Sequence, residues 1–381
     1  AFLAVGVFVC VFGITDYFQM DILGFKVNMM DTQKSIYTST FGNINTYTIY
    51  VAALLAISMI LFTQEKKQKR MFWYYGNMIL TSFALIMGSS DNAYLSLAAI
   101  FGLAPLWLFQ TKTGLRRYVI SLATFFTVIL CINGINKAYA ASVLGIDSAF
   151  NLIAGTKFLP ALVVLLWVIA VVLIFMNRKP QALMNRTTDD SMNKIAVYIW
   201  IGVIAVVCLA VLFVLYDANL GGHADKYGAL SSYVVFNDEW GTQRGYVWKR
   251  AMEIYTKKLN LLQKIFGYGP DTFALIMQYY YPGEMQNGRM VIFDSAHNEY
   301  LHYLVTTGFV GMASYLVFMV SSIVAMAKKI KEQPIVAAVM MAVLAYAIQA
   351  VVNINLPIAM PIILQLLAMG VGRKKTADKA E

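Results

Sequence analysis

Long apolar runs separated by short polar intervals dominate the chain. Ten can be counted, near residues 1–15, 46–63, 71–88, 93–110, 118–133, 157–176, 195–215, 298–327, 334–352 and 357–372. Several are long enough for a helix to cross a hydrocarbon core ~30 Å thick. Lipid leaves the helix as the spanning form for such runs, because each backbone polar group must find its partner within the segment. The pattern predicts an all-α polytopic membrane protein with about ten transmembrane helices. It divides the chain into helices one to seven over 1–215, a polar interval over 216–296, helices eight to ten over 297–372, and a basic tail over 373–381. The interval Tyr216–Ala296 is too long for a simple connector. It is expected to form one large, partly helical loop that carries the chemistry.

Composition agrees with that class, at 59% hydrophobic and only 13% charged residues. Charge adds an orientation. By alternation of the spans, the short connections around Lys66–Arg70, Lys112–Arg117, Arg178–Lys194 and Lys328–Lys331 fall with the tail on one side, and together they hold 18 of the 30 Lys and Arg residues. Basic short loops mark the cytoplasmic face, so the large loop is expected outside. The net charge of +10 is then mainly a topology signal, and without a basic stripe bearing aromatic platforms it does not support nucleic-acid binding. Cys10, Cys131 and Cys208 all lie inside apolar runs, away from any position where they could staple the loop or build a metal site. The chain opens at Ala1 within an apolar run, with no Met and no basic leader. This reads as an N-terminally clipped chain rather than a signal peptide.

The loop holds fifteen aromatic residues, eight acidic and eight basic. Such a surface suits sugar stacking, or seating of individual rings at the headgroup level. From Thr242 to Leu262 the spacing of Trp248, Met252, Tyr255, Leu259 and Leu262 predicts a helix with one apolar face. Thr242 is its expected cap, and Gly267-Tyr268-Gly269-Pro270 its stop. Arg244 then stands in the first turn, where free backbone N–H groups favour an anion and a guanidinium adds a planar fork suited to phosphate oxygens. The alternative is an ion pair with Glu239. Lys249, Arg250, Lys257 and Lys258 read as a solvated face.

His297 follows Ser295, the expected N-cap of the helix that re-enters the membrane. The positive end of the helix dipole favours neutral imidazole, the form a general base needs. Asp294 and Glu299 act in the opposite sense, and a structural histidine is the alternative. His302, five residues on, points well away from His297 on an ideal helix, so the pair lacks the i, i+4 zinc arrangement. No phosphate loop ending in Lys-Ser or Lys-Thr and no Gly-x-Ser-x-Gly elbow is present. Two shorter outer segments are patterned as well. Ser39–Asn45 is a Gly/Asn-rich turn leading into the second span, and Asp91, in Gly88–Asn92, is either a helix cap or a carboxylate facing a polar cavity.

Four stretches then carry a resemblance: Thr40–Asn45, Ser90–Leu95, Arg244–Trp248 through Phe266–Pro270, and Ala296–Leu301 through Gly308–Gly311. On these the chain resembles the bacterial O-antigen ligase and O-antigen polymerase superfamily of membrane glycosyltransferases. The resemblance implies a GT-C-like bundle of about a dozen helices, of which ten spans suit a clipped member. It implies a polyprenyl-diphosphate-linked glycan (undecaprenyl diphosphate) as donor and a glycan, lipid or protein-linked hydroxyl as acceptor. The reaction would be inverting, at the outer face of the bacterial cytoplasmic membrane, without cofactor or metal. In the family a loop arginine and the histidine before the re-entering helix handle the donor, and they match Arg244 and His297 as the catalytic pair. Asn43, Asp91, Trp248, Arg250 and Asn298, in or beside the same motifs, become substrate-binding expectations. One departure concerns Ser90-Asp91, where many members carry Ser-Arg, so a second diphosphate-binding arginine is not expected there. Ligase and polymerase both remain open. A lipid or glycan transporter is the reading from another class, although the inverted repeats and paired broken helices of many transporters are not seen.

Overall fold

A computed structural model describes residues 1–146, 149–176, 186–282, 293–354 and 356–373. Among them there is no strand. The principal helices are α1 (Phe2–Tyr17), α2 (Ile44–Gln64), α3 (Gln68–Met87), α4 (Ala93–Leu103), α5 (Lys112–Ala138), α6 (Leu159–Met176), α7 (Arg186–Asn219), α8 (Trp240–Glu253), α9 (Leu261–Phe266), α10 (Phe273–Tyr280), α11 (Glu299–Thr306), α12 (Gly308–Ala327), α13 (Pro334–Gln349) and α14 (Met360–Gly372). Each of the ten apolar runs falls on a helix. Among the described residues, six stretches are long and apolar enough to cross a membrane: Ile44–Gln64, Lys112–Ala138, Leu159–Met176, Lys194–Asn219, Gly308–Ala327 and Pro334–Val352. The protein is a multi-pass membrane protein. The expected basic tail lies outside the described residues apart from Arg373.

Two compact units emerge. The first comprises Ala1–Ile201, Ser322–Gln349 and Leu356–Glu381, the second Gly202–Ser321 and Ala350–Asn355. In the first, α2 is the hub, packed by α3 and α13. It is apolar on every face, with Leu54, Leu55, Met59 and Ile60 fully buried, as expected of a helix enclosed by others. Lipid tails are as apolar as leucine, so helix association there rests on close van der Waals approach, which small residues permit. Ala52, Ala53 and Ala56 supply it on α2. By contrast α6 presents Val164, Leu165, Val168, Val171 and Val172 outward, a surface costly in water but suited to acyl chains.

Two of the patterned outer segments are joined within this unit. Asn43 caps α2, its side chain accepting from the amides of Asn45 and Thr46 at 2.8 and 3.2 Å. Asn45 Oδ1 in turn accepts from Ser90 Oγ at 2.6 Å and Asn92 Nδ2 at 3.1 Å. The two turns are thereby tied into one polar knot. On the same unit Arg117 donates to the carbonyls of Phe62 and Glu65 at 2.8 and 2.6 Å. A guanidinium satisfies carbonyls that the end of α2 leaves open, so this basic residue also has a structural duty beyond the topology signal.

The second unit is built around a compact apolar core that includes Val247, Ala251, Ile254, Phe273, Ile276, Met277, Leu301 and Val305. The helix predicted from Thr242 to Leu262 is broken. A π-turn occupies Ile254–Lys258, Leu259 is extended, and α9 restarts behind a capping box in which Asn260 and Gln263 satisfy each other's amides. The buried face is Val247, Ala251 and Ile254, while Met252 and Leu262, expected on the apolar face, are exposed. Leu259, also expected on that face, is buried. Gly267 and Gly308, at φ 75° and 70°, press backbone against backbone: a Cβ on Gly267 would stand 2.0 Å from the Thr306 carbonyl oxygen, and one on Gly308 would stand 2.4 Å from that of Ile265. Thr306 O accepts from the amides of Tyr268 and Gly269 at 2.9 and 2.8 Å. The motifs at Phe266–Pro270 and Gly308–Gly311 therefore form one joint, which also splits the apolar run 298–327 into α11 and α12.

Candidate active site

Arg244 and His297 line the same cavity, of about 340 Å³, together with Thr242, Gln243, Val247, Phe293 and Asp294. Each reaches it through an unusual piece of backbone. Gly241, Thr242 and Gln243 adopt φ of 60°, 58° and 71° in succession, a left-handed run that is sterically costly for β-branched Thr242. Thr242 does not cap the helix as expected, since its hydroxyl donates to the Gly241 carbonyl at 2.6 Å. The run turns the chain sharply into the right-handed part of α8, which begins at Arg244. There the Arg244 Nη1 donates to the Gly241 carbonyl at 2.8 Å, so the turn and the guanidinium fix one another.

His297 lies at φ 46°, a left-handed position that histidine enters more readily than most side chains. The predicted cap is displaced. Asn298, not Ser295, is the N-cap of α11, accepting from the Leu301 amide at 3.0 Å, and His297 sits one residue outside the helix rather than in its first turn. Ser295 instead accepts from the His297 amide at 3.4 Å. Trp248 donates from its indole to the Ala296 carbonyl at 2.9 Å, which pins the residue before His297 to α8. That bond links the helix bearing Arg244 to the loop bearing His297.

The imidazole is largely buried. Burial first, and then the Arg244 guanidinium, push its pKa below the ordinary histidine value, with Asp294 acting in the opposite direction. Neutral imidazole is therefore the prevailing form near neutral pH. Its Nδ1 is enclosed without a hydrogen-bond partner, an arrangement that a buried polar group tolerates only at a cost. Position, burial and protonation state together suit a base awaiting a proton donor.

The other expected residues have varied fates. Trp248 and Asn298 line a separate, mainly apolar cavity of about 480 Å³ with Phe236, Tyr300, Leu301 and Met312. Arg250 pairs with Glu253 at 2.9 Å and lies over the Tyr281 and Tyr246 rings, 4.6 and 5.5 Å from their centroids. It packs as much as it solvates. Asn43 and Asp91 belong to the first unit, Asn43 as a helix cap and Asp91 exposed in the turn before α4. Asp91 is not the cap itself, because the N-cap position falls on Asn92. His302 stacks on Phe273 with ring centroids 5.4 Å apart and lines neither cavity. Among the described residues, no three His, Cys, Asp or Glu side chains are grouped as a metal would require.

Sequence reasoning missed Phe293, Asp294 and Gln243 as walls of the cavity. Their only sequence signal is adjacency to Arg244 or His297. It also missed Asp217, whose carboxylate takes the His223 imidazole, the Tyr227 hydroxyl and the Lys226 ammonium at 2.7, 2.7 and 3.3 Å. That cluster closes the turn after α7.

No curated protein matches the chain. Residues 140–316, which hold both Arg244 and His297, match the family model described as O-antigen ligase.

Proposed function

We propose that the protein is a membrane glycosyltransferase that moves a glycan from a polyprenyl-diphosphate carrier to an acceptor hydroxyl at the outer face of the bacterial cytoplasmic membrane. The observation that carries this reading is the convergence of Arg244 and His297, distant along the chain, on one cavity. The His297 imidazole takes the proton from the acceptor hydroxyl as that oxygen bonds to the anomeric carbon. The bond from that carbon to the diphosphate oxygen breaks, and the diphosphate departs with the electron pair, its charge met by Arg244. Displacement from the opposite face inverts the anomeric configuration. General-base help is typically worth 10²–10⁴-fold, and a preorganised cation at the developing charge contributes on a similar scale. With Arg244 in that role the step proceeds without a divalent metal.

The adjacent apolar cavity lined by Trp248 and Tyr300 suits the first units of the carrier chain. Incubating the reconstituted protein with a polyprenyl-diphosphate oligosaccharide and candidate acceptors, with and without chelator, tests the reading directly. Transfer that survives chelation, with inverted linkage, is expected. Carrier crossing the bilayer with no covalent transfer would replace this reading with transport. Ligase and polymerase share the same donor step, and the material that accumulates when the gene is deleted separates them: single repeat units mark a polymerase, finished chains a ligase.

A further inference from the structure

On the other side of the Trp240–Arg244 turn lies a third cavity, of about 430 Å³, lined by Asp225, Ser231, Ser232, Asn237, Glu239 and Trp240 among others. Its size falls within the range of small-ligand sites. Its lining is acidic, whereas the first cavity sets the Arg244 guanidinium beside the Asp294 carboxylate. Two carboxylates, two hydroxyls and one carboxamide surround an indole, and among the described residues no cation lines it. Among the described residues neither Asp225 nor Glu239 is held in an ion pair, while the neighbouring ammonium groups are committed elsewhere, Lys226 to Asp217 at 3.3 Å and Lys249 to Asp238 at 2.9 Å.

Two of its walls are held in place. The Trp240 indole donates to the Tyr233 carbonyl at 2.8 Å, and its ring packs against Phe236 and Trp248 at centroid distances of 5.6 and 5.1 Å. Asn237 Oδ1 accepts from the Glu239 amide at 3.1 Å, which occupies its oxygen and leaves its NH₂ group to donate. Carboxylates accept hydrogen bonds and repel anions. An aromatic wall offers apolar surface to the C–H face of a ring. Hydroxyls and a carboxamide complete a lining that matches a polyol.

From this we infer that the cavity lined by Glu239 and Trp240 is a subsite for an uncharged, hydroxyl-rich glycan, and that it excludes sugars bearing carboxylate or phosphate. The inference rests on the glycosyl-transfer reading in one respect: the shared turn sets this subsite beside the Arg244 cavity, so a glycan held here lies next to the diphosphate. The Arg244 guanidinium in one cavity and the Glu239 carboxylate in the other then sort one substrate's ends, with phosphates drawn to Arg244 and hydroxyls to Glu239.

A direct test presents the full-length protein, in lipid nanodiscs, to an array of short oligosaccharides that are neutral or that carry uronic acids or phosphate. The wild type should retain neutral glycans and not acidic ones. Glu239→Gln and Asp225→Asn should each weaken retention about tenfold or more, the scale of losing a charged hydrogen-bond acceptor, and should narrow the discrimination against acidic sugars. Trp240→Ala should abolish retention. Wild-type protein that retains neutral glycans yet transfers none would count against the reaction alone and leave the subsite standing. Preference of the wild type for acidic glycans, retention of no glycan, or equal retention by Glu239→Gln and Asp225→Asn would overturn the subsite. In a transfer assay the same variants should raise the KM for whichever glycan sits there, the free acceptor or the carrier-linked donor, and the substrate whose KM moves identifies the source.

Discussion

In the proposed reaction the chemistry turns on His297 and Arg244, and their surroundings make different demands on substitution. His297→Ala removes the base, so turnover is expected to fall by about 10²–10⁴-fold with membrane insertion unchanged, as read by transfer rate and by the amount of folded protein in the membrane. Arg244→Lys keeps the charge but loses the planar fork, and should recover only a small part of what Arg244→Ala loses. Because burial and Arg244 lower the His297 pKa, the base stays deprotonated into mildly acidic solution. The acidic limb of the rate profile should therefore fall below the ordinary histidine value of about 6.5, and a limb above pH 7 would contradict this assignment. Both residues were marked in the sequence by the motifs that hold them, and the fold brings them to one cavity. Their backbone was not. The left-handed His297 follows a carbonyl, that of Ala296, held by Trp248, a contact made between segments far apart in sequence, and Asn298 and Ser295 are both good caps by residue type, so local chemistry does not choose between them.

At the scale of elements, the motif glycines and caps set where helices start and stop. Gly308→Ala would place a Cβ against the Ile265 carbonyl oxygen at a positive φ, combining a clash with a strained backbone. It is expected to cost more than the roughly 1 kcal/mol of an ordinary glycine replacement, seen as a lower Tm in detergent. Asn298→Ala removes only the cap of α11, about 1 kcal/mol, and should lower Tm less. The apolar runs were readable because period and length speak for themselves in a membrane protein. The break between α8 and α9 was not, since the apolar spacing from Trp248 to Leu262 continues through it, although the Asn260-x-x-Gln263 capping box marks the restart. The Phe266–Pro270 and Gly308–Gly311 motifs were visible as patterns, but that they press against each other emerges only from the tertiary fold.

For the whole molecule, the segregation of basic residues predicts that the loop bearing Arg244 faces outward. In intact cells a membrane-impermeant maleimide should label Ser232→Cys, while Lys67→Cys should react only after permeabilisation. Labelling in the reverse order would invert the topology. The bundle was legible from hydropathy, whereas the separation into two units was not, because α7 and α12 each run continuously from one unit into the other. The cavity between Arg244 and His297 could be expected as a pairing, yet its walls come from side chains that carry no motif.

The proposed reaction requires those two residues to act as one device. A double-mutant cycle on reconstituted full-length protein measures this most directly, with transfer from a polyprenyl-diphosphate oligosaccharide as the readout. If one step uses both groups, His297→Ala and Arg244→Ala each remove nearly all turnover and the double variant is little worse than either, the non-additivity expected of residues that work as a unit. A single variant retaining turnover within about tenfold of wild type, or losses that simply multiply in the double variant, would contradict it.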